Sequence, residues 1–401
     1  LIASLPHPMI SIYTCCNYPD YLYGAMLPET KLLGQFALDV EQSGVLIRTP
    51  DEMTDGKIRT RVEQPKFGHI LSEAKEWARI LECPYISDLN QINTEHRMGE
   101  LIRVSEALQE KRIGQIADHI ASHRNNIRLI LIAGPSSSGK TSFAQRLRIQ
   151  LRVNGLHPIM ISLDDYFLNR EDTPRNEKGQ YDYESIDAID TALFNRNMLE
   201  LLNGHRVQIP YYNFITGKRE WHDDNFLLMK EDQPIIIEGI HGLNERLTAD
   251  IARKNKYKIY ISALTQLNID AHNRIPTTDV RFLRRLVRDH QFRGAKAIKT
   301  IKQWPDVRAG EEKYIFPFQE EADVLFNSAL IYEIGVLKKY AVPLLEAIGR
   351  GEEGYTEARL ILRFLQYVDE IHDIDDIPNN SIFREFIGKS VFFKEKIKTT
   401  S

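Results

Sequence analysis

A glycine-rich stretch carries the strongest chemical signal in the sequence. It follows a predicted strand, opens a predicted helix, and matches G-x-x-x-x-G-K-[ST] through Gly134, Gly139, Lys140 and Thr141. Small residues let backbone N–H groups approach phosphate oxygens, while the lysine reaches the β- and γ-phosphates and the threonine holds Mg²⁺. The pattern therefore predicts a site for ATP and Mg²⁺. Its residues would be Gly134, Ser136, Ser137, Ser138, Gly139, Lys140, Thr141 and Ser142.

Carboxylates stand at the ends of two later predicted strands. Asp164 and Asp165 follow the strand in "ISLDDYF", and Glu238 ends the strand in "IIIEGI". Because ligands of doubly wound sheets bind at the carboxyl ends of the strands, these side chains would lie near a nucleotide's terminal phosphate. One carboxylate there can take a proton from an attacking hydroxyl, and another can hold Mg²⁺. The candidate metal ligands are Thr141, Asp164 and Glu238.

Five arginines cluster in "DVRFLRRLVRDHQFRG", namely Arg281, Arg284, Arg285, Arg288 and Arg293. At helical spacing the first four share one face, as a lid that closes over a triphosphate requires. A basic helix face turned to solvent is the alternative. Because a phosphate-binding loop precedes this helix, we favour the lid.

The elements that must position these residues follow an alternating pattern. Short apolar, β-branched runs alternate with helices in the order "IRLILIA", "HPIMISL", "QPIIIEGI", "KYKIYISA" and "ADVLFNSAL". Such runs are typical of parallel strands covered on both faces. Phe143, Leu147 and Leu151 lie on one face of the first helix, which Gly155 can end in a left-handed turn. We therefore predict an α/β domain with a mostly parallel, doubly wound sheet.

The chain divides by pattern into three parts. Residues 1–125 combine short apolar runs with two helical stretches, "GHILSEAKEWARILE" and "GELIRVSEALQEKRIGQIADHIASHR", and they predict a smaller α+β domain. Residues 126–348 would form the phosphate-binding α/β domain. Residues 349–401 predict a C-terminal helical segment and a polar tail.

Composition narrows the class of protein. The 401 residues carry a formal net charge of −4, which does not favour nucleic acid as a partner. Three scattered cysteines fit a reducing compartment, and no apolar run is long enough to cross a membrane. The opening residues also lack a basic leader. We expect a cytoplasmic protein without a membrane partner, and the sequence leaves homo-oligomer formation open.

Six ordered motifs in residues 127–347 resemble the uridine kinase and phosphoribulokinase family of P-loop kinases. Besides the glycine-rich loop they are "SLDDYF", "YDYESIDAID", "VQIPYYNF", "IIIEGI" and "DVRFLRRLVRD". The resemblance implies ATP as phosphate donor, Mg²⁺ as cofactor and the 5′-hydroxyl of a nucleoside as acceptor. Asp164 would be the base and Glu238 a Mg²⁺ ligand.

The resemblance also implies roles for further side chains. Lys140, Arg281 and Arg285 would act in catalysis, and Arg284 and Arg288 would bind the nucleotide. The acceptor pocket would be lined by Tyr166, Tyr183, Glu184, Tyr212, Phe214, Arg219, Ile240 and Arg281.

Two positions depart from the family pattern. Glu184 stands where family members carry an aspartate that binds ribose hydroxyls, and Gly217 stands where pyrimidine nucleoside kinases place a base-reading histidine. Pyrimidine specificity is therefore in doubt. A kinase for another polyol, a sugar or a sugar phosphate is one alternative, although only Lys218 beside Arg219 offers an extra cation. An ATP-dependent regulatory or RNA-binding protein is the other.

The N-terminal part, up to about residue 119, resembles a region next to the editing domain of threonyl-tRNA synthetase. His119 and His123 have the H-x-x-x-H spacing of a zinc site, but no Cys/His pair follows before the glycine-rich loop. We interpret them as surface histidines.

Overall fold

The computed structural model describes residues 10–21, 27, 29–41, 44–50, 55–176, 179–230 and 233–393. Two antiparallel hairpins come first, formed by β1 (Ile12–Cys15) with β2 (Tyr18–Tyr21) and β3 (Ala37–Glu41) with β4 (Gly44–Arg48). Three helices follow, namely α1 (Pro65–Ile80), α2 (Ile86–Thr94) and α3 (Met98–Ser122). The sequence patterns indicated α1 and α3 but missed α2.

A five-stranded parallel sheet forms the centre of the molecule. Its strands are β5 (Leu129–Ala133), β6 (Ile159–Ser162), β11 (Ile235–Glu238), β12 (Lys256–Ser262) and β13 (Val324–Asn327), in the order β13-β12-β5-β11-β6. All neighbouring pairs are parallel. The five predicted strands and the doubly wound α/β fold are confirmed. Because the chain extends from β5 to both sides of the sheet, the glycine-rich loop after β5 lies at a topological switch point.

Helices cover the sheet on both faces. α4 (Lys140–Val153) buries Phe143, Leu147 and Leu151 as predicted, and Gly155 after it has a φ of +81°. The others are α5 (Thr191–Leu202), α6 (Thr277–Arg293), α7 (Ala297–Tyr314), α8 (Glu333–Glu346), α9 (Tyr355–Leu365) and α10 (Arg384–Ile387). The predicted C-terminal helical segment is therefore present as α9 and α10.

Two small hairpins lie between α5 and β11. β7 (Arg206–Gln208) pairs with β10 (Phe226–Leu228), and β8 (Tyr211–Asn213) pairs with β9 (Lys218–Glu220). They carry the predicted acceptor-binding motif "VQIPYYNF" beside the end of β6.

The helices before the sheet share its hydrophobic core. Ile113, Ile116 and Ile120 of α3 belong to one buried cluster with Ile130 of β5 and Phe143 of α4. Helix α2 joins a second cluster with α6, α8, α9 and the C-terminal residues. The division at residue 125 stays a prediction, but residues on its two sides are packed together. Within the described residues, no helix is both long and apolar enough to span a lipid bilayer.

Candidate active site

The glycine-rich loop adopts a conformation that requires its small residues. Gly139 has a φ of +83° and Ser137 a φ of +60°, which turns the loop into the N-terminus of α4. A Cβ added at Gly134 would lie 2.1 Å from the carbonyl oxygen of Ile261 on β12. Glycine is therefore needed at position 134 for close packing of backbones and at position 139 for its φ.

Lys140 bends back over this loop. Its Nζ donates hydrogen bonds to the carbonyl oxygens of Gly134 at 2.9 Å and Pro135 at 3.1 Å. Burial lowers the pKa of Lys140, and the nearby carboxylates of Glu238, Glu385 and Asp164 oppose that shift. The ammonium group is thus held beside the loop and among acidic groups.

Thr141 and Glu238 lie together at the base of the loop. The Thr141 hydroxyl donates to Glu238 Oε1 at 3.3 Å. Burial and the negative charge of Asp164 raise the pKa of Glu238 to about 7. Among the described residues no three acidic, histidine or cysteine side chains form a metal cluster. Mg²⁺ in phosphoryl-transfer sites uses one or two carboxylates with substrate phosphates and water, so Thr141 and Glu238 fit it.

The two adjacent aspartates after β6 face different surroundings. Asp164 is accessible to solvent, and partial desolvation by the surrounding protein raises its pKa against the attraction of Lys140 and Arg293. Asp165 turns toward the β8 hairpin and accepts a hydrogen bond from the backbone N–H of Tyr212 at 3.4 Å. Burial raises the pKa of Asp165 to about 6. Asp164 is therefore the carboxylate placed beside the glycine-rich loop.

Arg281 and Arg284 are buried inside the protein. Arg281 is only 2% exposed, donates twice to the carbonyl oxygen of Ser136 at 3.1 Å and pairs with the buried Glu311. Arg284 is fully buried, donates to Glu333 at 2.7 Å and reaches the Ser137 carbonyl oxygen at 3.4 Å. These arginines brace the loop from behind, which differs from the expected lid. The physical reason is that α6 buries an apolar face in the core, formed by Val280, Phe282, Leu283, Leu286 and Val287.

The remaining arginines of α6 gather around one buried carboxylate. Asp289 accepts from Arg288 at 2.9 Å, and Arg285 and Arg293 lie 3.4 Å and 3.3 Å from it. Arg285 also donates to the Ser136 hydroxyl at 2.9 Å. Arg285 therefore contacts the loop directly, and Arg288 and Arg293 share its carboxylate partner.

The predicted acceptor side contains an aromatic cluster, with one correction. Tyr166 is fully buried, accepts a hydrogen bond from Asn197 at 3.2 Å and packs on Phe194, so it belongs to the core. Its neighbour Phe167 lies in the aromatic cluster. The Phe167 ring lies 5.5 to 6.4 Å from the ring centroids of Tyr183, Tyr212 and Phe214.

Glu184 lies at the inner end of this region. Its Cβ and Cγ would lie 2.8 Å from a Cβ at Gly310 of α7, so glycine there makes room for it. Burial and the neighbouring Glu311 raise the pKa of Glu184 to about 7, against the attraction of Arg285 and Lys140. This carboxylate therefore lies in electrostatic contact with the residues around the glycine-rich loop.

Three further predicted acceptor residues have protein partners. Arg219 pairs with Asp190 at 2.9 Å, and Asp190 also caps α5. Ile240 packs against a hydrophobic cluster beside β5 and β12. Gly217 has a φ of +71°, and a Cβ there would lie 2.6 Å from the guanidinium Nε of Arg170. Arg170 therefore fills the space above the residue where family members carry a histidine.

Several residues of the site escaped sequence analysis. Glu311 accepts from the Ser136 backbone N–H at 3.2 Å, and Glu385 accepts from the Ser142 hydroxyl at 2.7 Å. Both come from helices far along the chain, and no local pattern marks them. The exposed His119 and His123 have stacked rings, and no metal cluster forms among the described residues.

The parallel sheet, the loop after β5 and the carboxylates at the ends of β6 and β11 define a P-loop domain of the phosphotransferase type. The model of the phosphoribulokinase/uridine kinase family matches residues 129–333, more than half of the chain. The chain therefore belongs to this family of ATP-dependent kinases. The N-terminal resemblance to threonyl-tRNA synthetase stays a hypothesis.

Two curated proteins and one solved structure are similar to part of this chain. The uridine kinase of Saccharomyces cerevisiae is 32% identical over 203 residues, 50% of this chain and 36% of that protein. The uridine kinase of Staphylococcus haemolyticus is 29% identical over 201 residues, 50% of this chain and 87% of that protein. A solved structure of a "possible uridine kinase" from Bacillus stearothermophilus is 19% identical, covers 54% of this chain and 98% of its own, and has a TM-score of 0.36. The chain thus spans about a third of the yeast relative.

Proposed function

We propose that this chain transfers the γ-phosphoryl group of ATP to a primary hydroxyl, namely the 5′-hydroxyl of a nucleoside. The observation that carries the proposal is the position of Asp164, which is solvent-accessible at the end of β6 and interacts with Lys140. A carboxylate beside the P-loop lysine can accept the proton of an attacking hydroxyl.

Each residue around the loop has a part in this reaction. The loop N–H groups and Lys140 bind the phosphates, and Arg285 adds positive charge near Ser136. As the acceptor oxygen bonds to the γ-phosphorus, its proton passes to Asp164 and the bond from phosphorus to the β–γ bridging oxygen breaks. The products are a phosphate monoester and ADP. Since this transition state is loose, catalysis rests on positioning and charge stabilisation.

Thr141 and Glu238 would hold Mg²⁺, because their oxygens meet at 3.3 Å beside the loop. The ion neutralises charge on the β- and γ-phosphates when it is bound. Glu238 also carries a pKa raised to about 7 by burial, so removal of its proton is part of metal binding at neutral pH.

Support for a nucleoside acceptor comes from the region between the P-loop and the β8 hairpin. Phe214 is 62% exposed beside Tyr212 and Phe167, which leaves an aromatic surface for a planar base. Glu184 offers carboxylate oxygens to vicinal hydroxyls at the inner end of the cluster. In the family it resembles, an aspartate at this position binds ribose hydroxyls, and Glu184 is longer than that aspartate by one methylene.

A second candidate acceptor is a sugar phosphate. Arg170 lies against Gly217 and donates to the Phe214 carbonyl oxygen at 3.2 Å, which brings a guanidinium group to the aromatic cluster. Guanidinium groups bind phosphate oxygens in a fixed fork geometry. The Arg170 guanidinium could therefore bind the phosphate group of a sugar phosphate, whereas a neutral nucleoside has no anionic group to pair with it.

An ADP-release assay over a panel of acceptors tests both candidates. The panel contains uridine, cytidine, adenosine, guanosine, ribose and ribulose 5-phosphate, a sugar phosphate with a free primary hydroxyl, each with Mg²⁺ and ATP. Saturable turnover with a nucleoside supports the proposal, and turnover with ribulose 5-phosphate alone supports the second candidate. Arg170→Ala should raise KM more than fivefold for the sugar phosphate, whereas Arg196→Ala, on the exposed side of α5, should leave it unchanged.

A further inference from the structure

The residues after α9 return to the P-loop and cover it. We call residues 378–393 the C-terminal segment. A Cβ added at Gly139 would lie 2.4 Å from Cγ2 of Ile382 in this segment. The guanidinium carbon of Arg284 lies 4.9 Å from the ring centroid of Phe386. The segment follows the family-matched region, which ends at residue 333, and yet it contacts the P-loop directly.

One carboxylate of the segment contacts donors at the start of α4. Glu385 Oε2 accepts from the Ser142 hydroxyl at 2.7 Å and from the Ser142 backbone N–H at 3.4 Å. The N–H groups of a helix's first turn have no partner within the helix, and in a P-loop they are available to phosphate oxygens. Glu385 therefore occupies a place suited to an anion.

The charged groups around Glu385 include the P-loop lysine, which would also contact a bound phosphate. Lys140 and Arg293 attract its carboxylate, while Glu238 repels it. A nucleotide would bring further negative charge to the same cations and the same N-terminus of α4. Glu385 and the nucleotide phosphates therefore compete for these groups.

The segment is held firmly enough to keep Glu385 in place. The Ser381 hydroxyl donates to Glu106 of α3, and Tyr332 donates to the same carboxylate at 2.8 Å. Arg384 donates to the carbonyl oxygens of Ile374 and Ile377 at 3.1 Å and 2.7 Å. These bonds fix the residues directly before Glu385 without using the P-loop.

We propose that Glu385 forms an autoinhibitory contact with the P-loop, which nucleotide must displace in order to bind. The inference rests on the proposed function only in that the P-loop binds ATP. Displacement removes a contact between the C-terminal segment and α4. The two equilibria are coupled. The factor by which the docked segment weakens nucleotide binding equals the factor by which bound nucleotide weakens docking of the segment.

Equilibrium binding of Mg²⁺·ATP, without any acceptor, tests this competition. Glu385→Gln keeps the shape of the side chain and removes its charge, and we expect the Kd for ATP to fall roughly tenfold, within the usual range of coupling between sites. Glu357→Gln on the exposed side of α9 makes the same change of net charge and should leave the Kd unchanged. An unchanged or higher Kd for Glu385→Gln overturns the inference while the kinase proposal stands. If neither the wild type nor Glu385→Gln binds ATP, both the autoinhibition inference and the kinase proposal are overturned.

Amide hydrogen exchange of the wild-type chain gives a second measurement that needs no variant. Addition of Mg²⁺·ATP should increase exchange in residues 381–388, while exchange in the P-loop decreases. In Glu385→Gln the exchange of 381–388 should already be high and should change little with ATP. A decrease in exchange of 381–388 in the wild type would show that the segment closes on the nucleotide, which is the opposite of autoinhibition.

Discussion

Asp164 and Asp165 show how one position along the chain changes the chemistry available to a carboxylate. Asp164 interacts with Lys140 and Arg293, whereas Asp165 accepts from the Tyr212 backbone. Asp164→Asn keeps shape but cannot accept a proton, so we expect kcat to fall by roughly 10² to 10⁴-fold with near-normal ATP affinity. Asp165→Asn should change kcat much less. Steady-state kinetics with the accepted substrate measure both.

The reverse order of severity would exclude Asp164 as the base. Loss of ATP binding in Asp164→Asn, with kcat otherwise retained, would make Asp164 a metal ligand or a structural residue.

Lys140 is the cation closest to the loop carbonyl oxygens, at 2.9 Å from that of Gly134. Lys140→Ala removes the ammonium group that would follow charge onto the leaving phosphate oxygens. We expect a fall in kcat of at least about 10²-fold at saturating ATP. Thermal unfolding of the variant serves as the control, because the lost hydrogen bonds also loosen the loop. An unchanged kcat would remove Lys140 from the mechanism.

The buried carboxyl group of Glu184 makes the free energy of unfolding depend on pH. Its pKa is raised from the ordinary 4.5 to about 7, so the folded state binds its proton more tightly than the unfolded state does. Proton binding by Glu184 therefore stabilises the folded state fully below about pH 4.5, and this stabilisation is lost as pH rises toward 7. Glu184→Gln should gain stability relative to wild type over that range, by roughly 3 kcal/mol. Denaturant unfolding at pH 4.5, 6 and 8 measures the difference, and a constant difference would contradict the raised pKa.

At the scale of elements, α6 is a buried helix that braces the P-loop. Arg284 and Glu333 form an ion pair with both members almost fully buried. Removing one partner leaves the other charge unpaired, so Arg284→Met should lower the free energy of unfolding by roughly 3 to 5 kcal/mol. Arg293→Ala, on the same helix with a side chain that is 59% exposed, should cost under about 1 kcal/mol. Urea unfolding of both variants checks this order. If Arg284→Met is stable but no longer binds ATP, Arg284 acts on the nucleotide, as the lid hypothesis expects.

The sheet could be predicted because its strands are continuous buried runs. "LILIA" and "IIIE" have no exposed residue to interrupt the pattern, and the glycine-rich loop marks where the first strand ends. Asp164 and Glu238 were predicted from strand ends in a chain with an upstream glycine-rich loop. An open lid position was wrongly expected for Arg281 and Arg284, because helical spacing shows which arginines share a face but not whether that face meets solvent or protein. The roles of the other arginines stay predictions.

Contacts between distant parts of the chain left no signal in the sequence. Glu311 and Glu385 are 175 and 243 residues from their P-loop partners, and each lies in an ordinary helical pattern. Tyr166 lies in the core and Phe167 lies beside Tyr212, and the adjacent aromatic residues of the motif do not show which of the two faces the cluster. Such choices depend on tertiary packing rather than on local periodicity.

At the scale of the molecule, the parts before and after the family-matched region complete the core around the P-loop helix. Arg146 of α4 pairs with Glu110 of α3, and Ile116 and Ile120 cover the same helix. A fragment of residues 126–348 would expose these apolar contacts. We expect it to lose cooperative thermal unfolding, whereas residues 65–393 should keep it. Calorimetry of the two fragments tests this, and equal midpoints would make residues 126–348 an independent domain.

The central claim is acceptor-dependent phosphoryl transfer by the P-loop and Asp164. Phosphorus NMR of the full chain with Mg²⁺, ATP and the nucleoside that gives turnover in the acceptor panel follows ATP, ADP, inorganic phosphate and phosphate monoester in one sample, and Lys140→Ala is the matched control. We predict one monoester for each ADP, no inorganic phosphate, and formation of both products at least about 10²-fold more slowly by the variant. ADP and inorganic phosphate formed at the same rate without the nucleoside would show that water is the acceptor, and that result would contradict the proposed phosphoryl transfer.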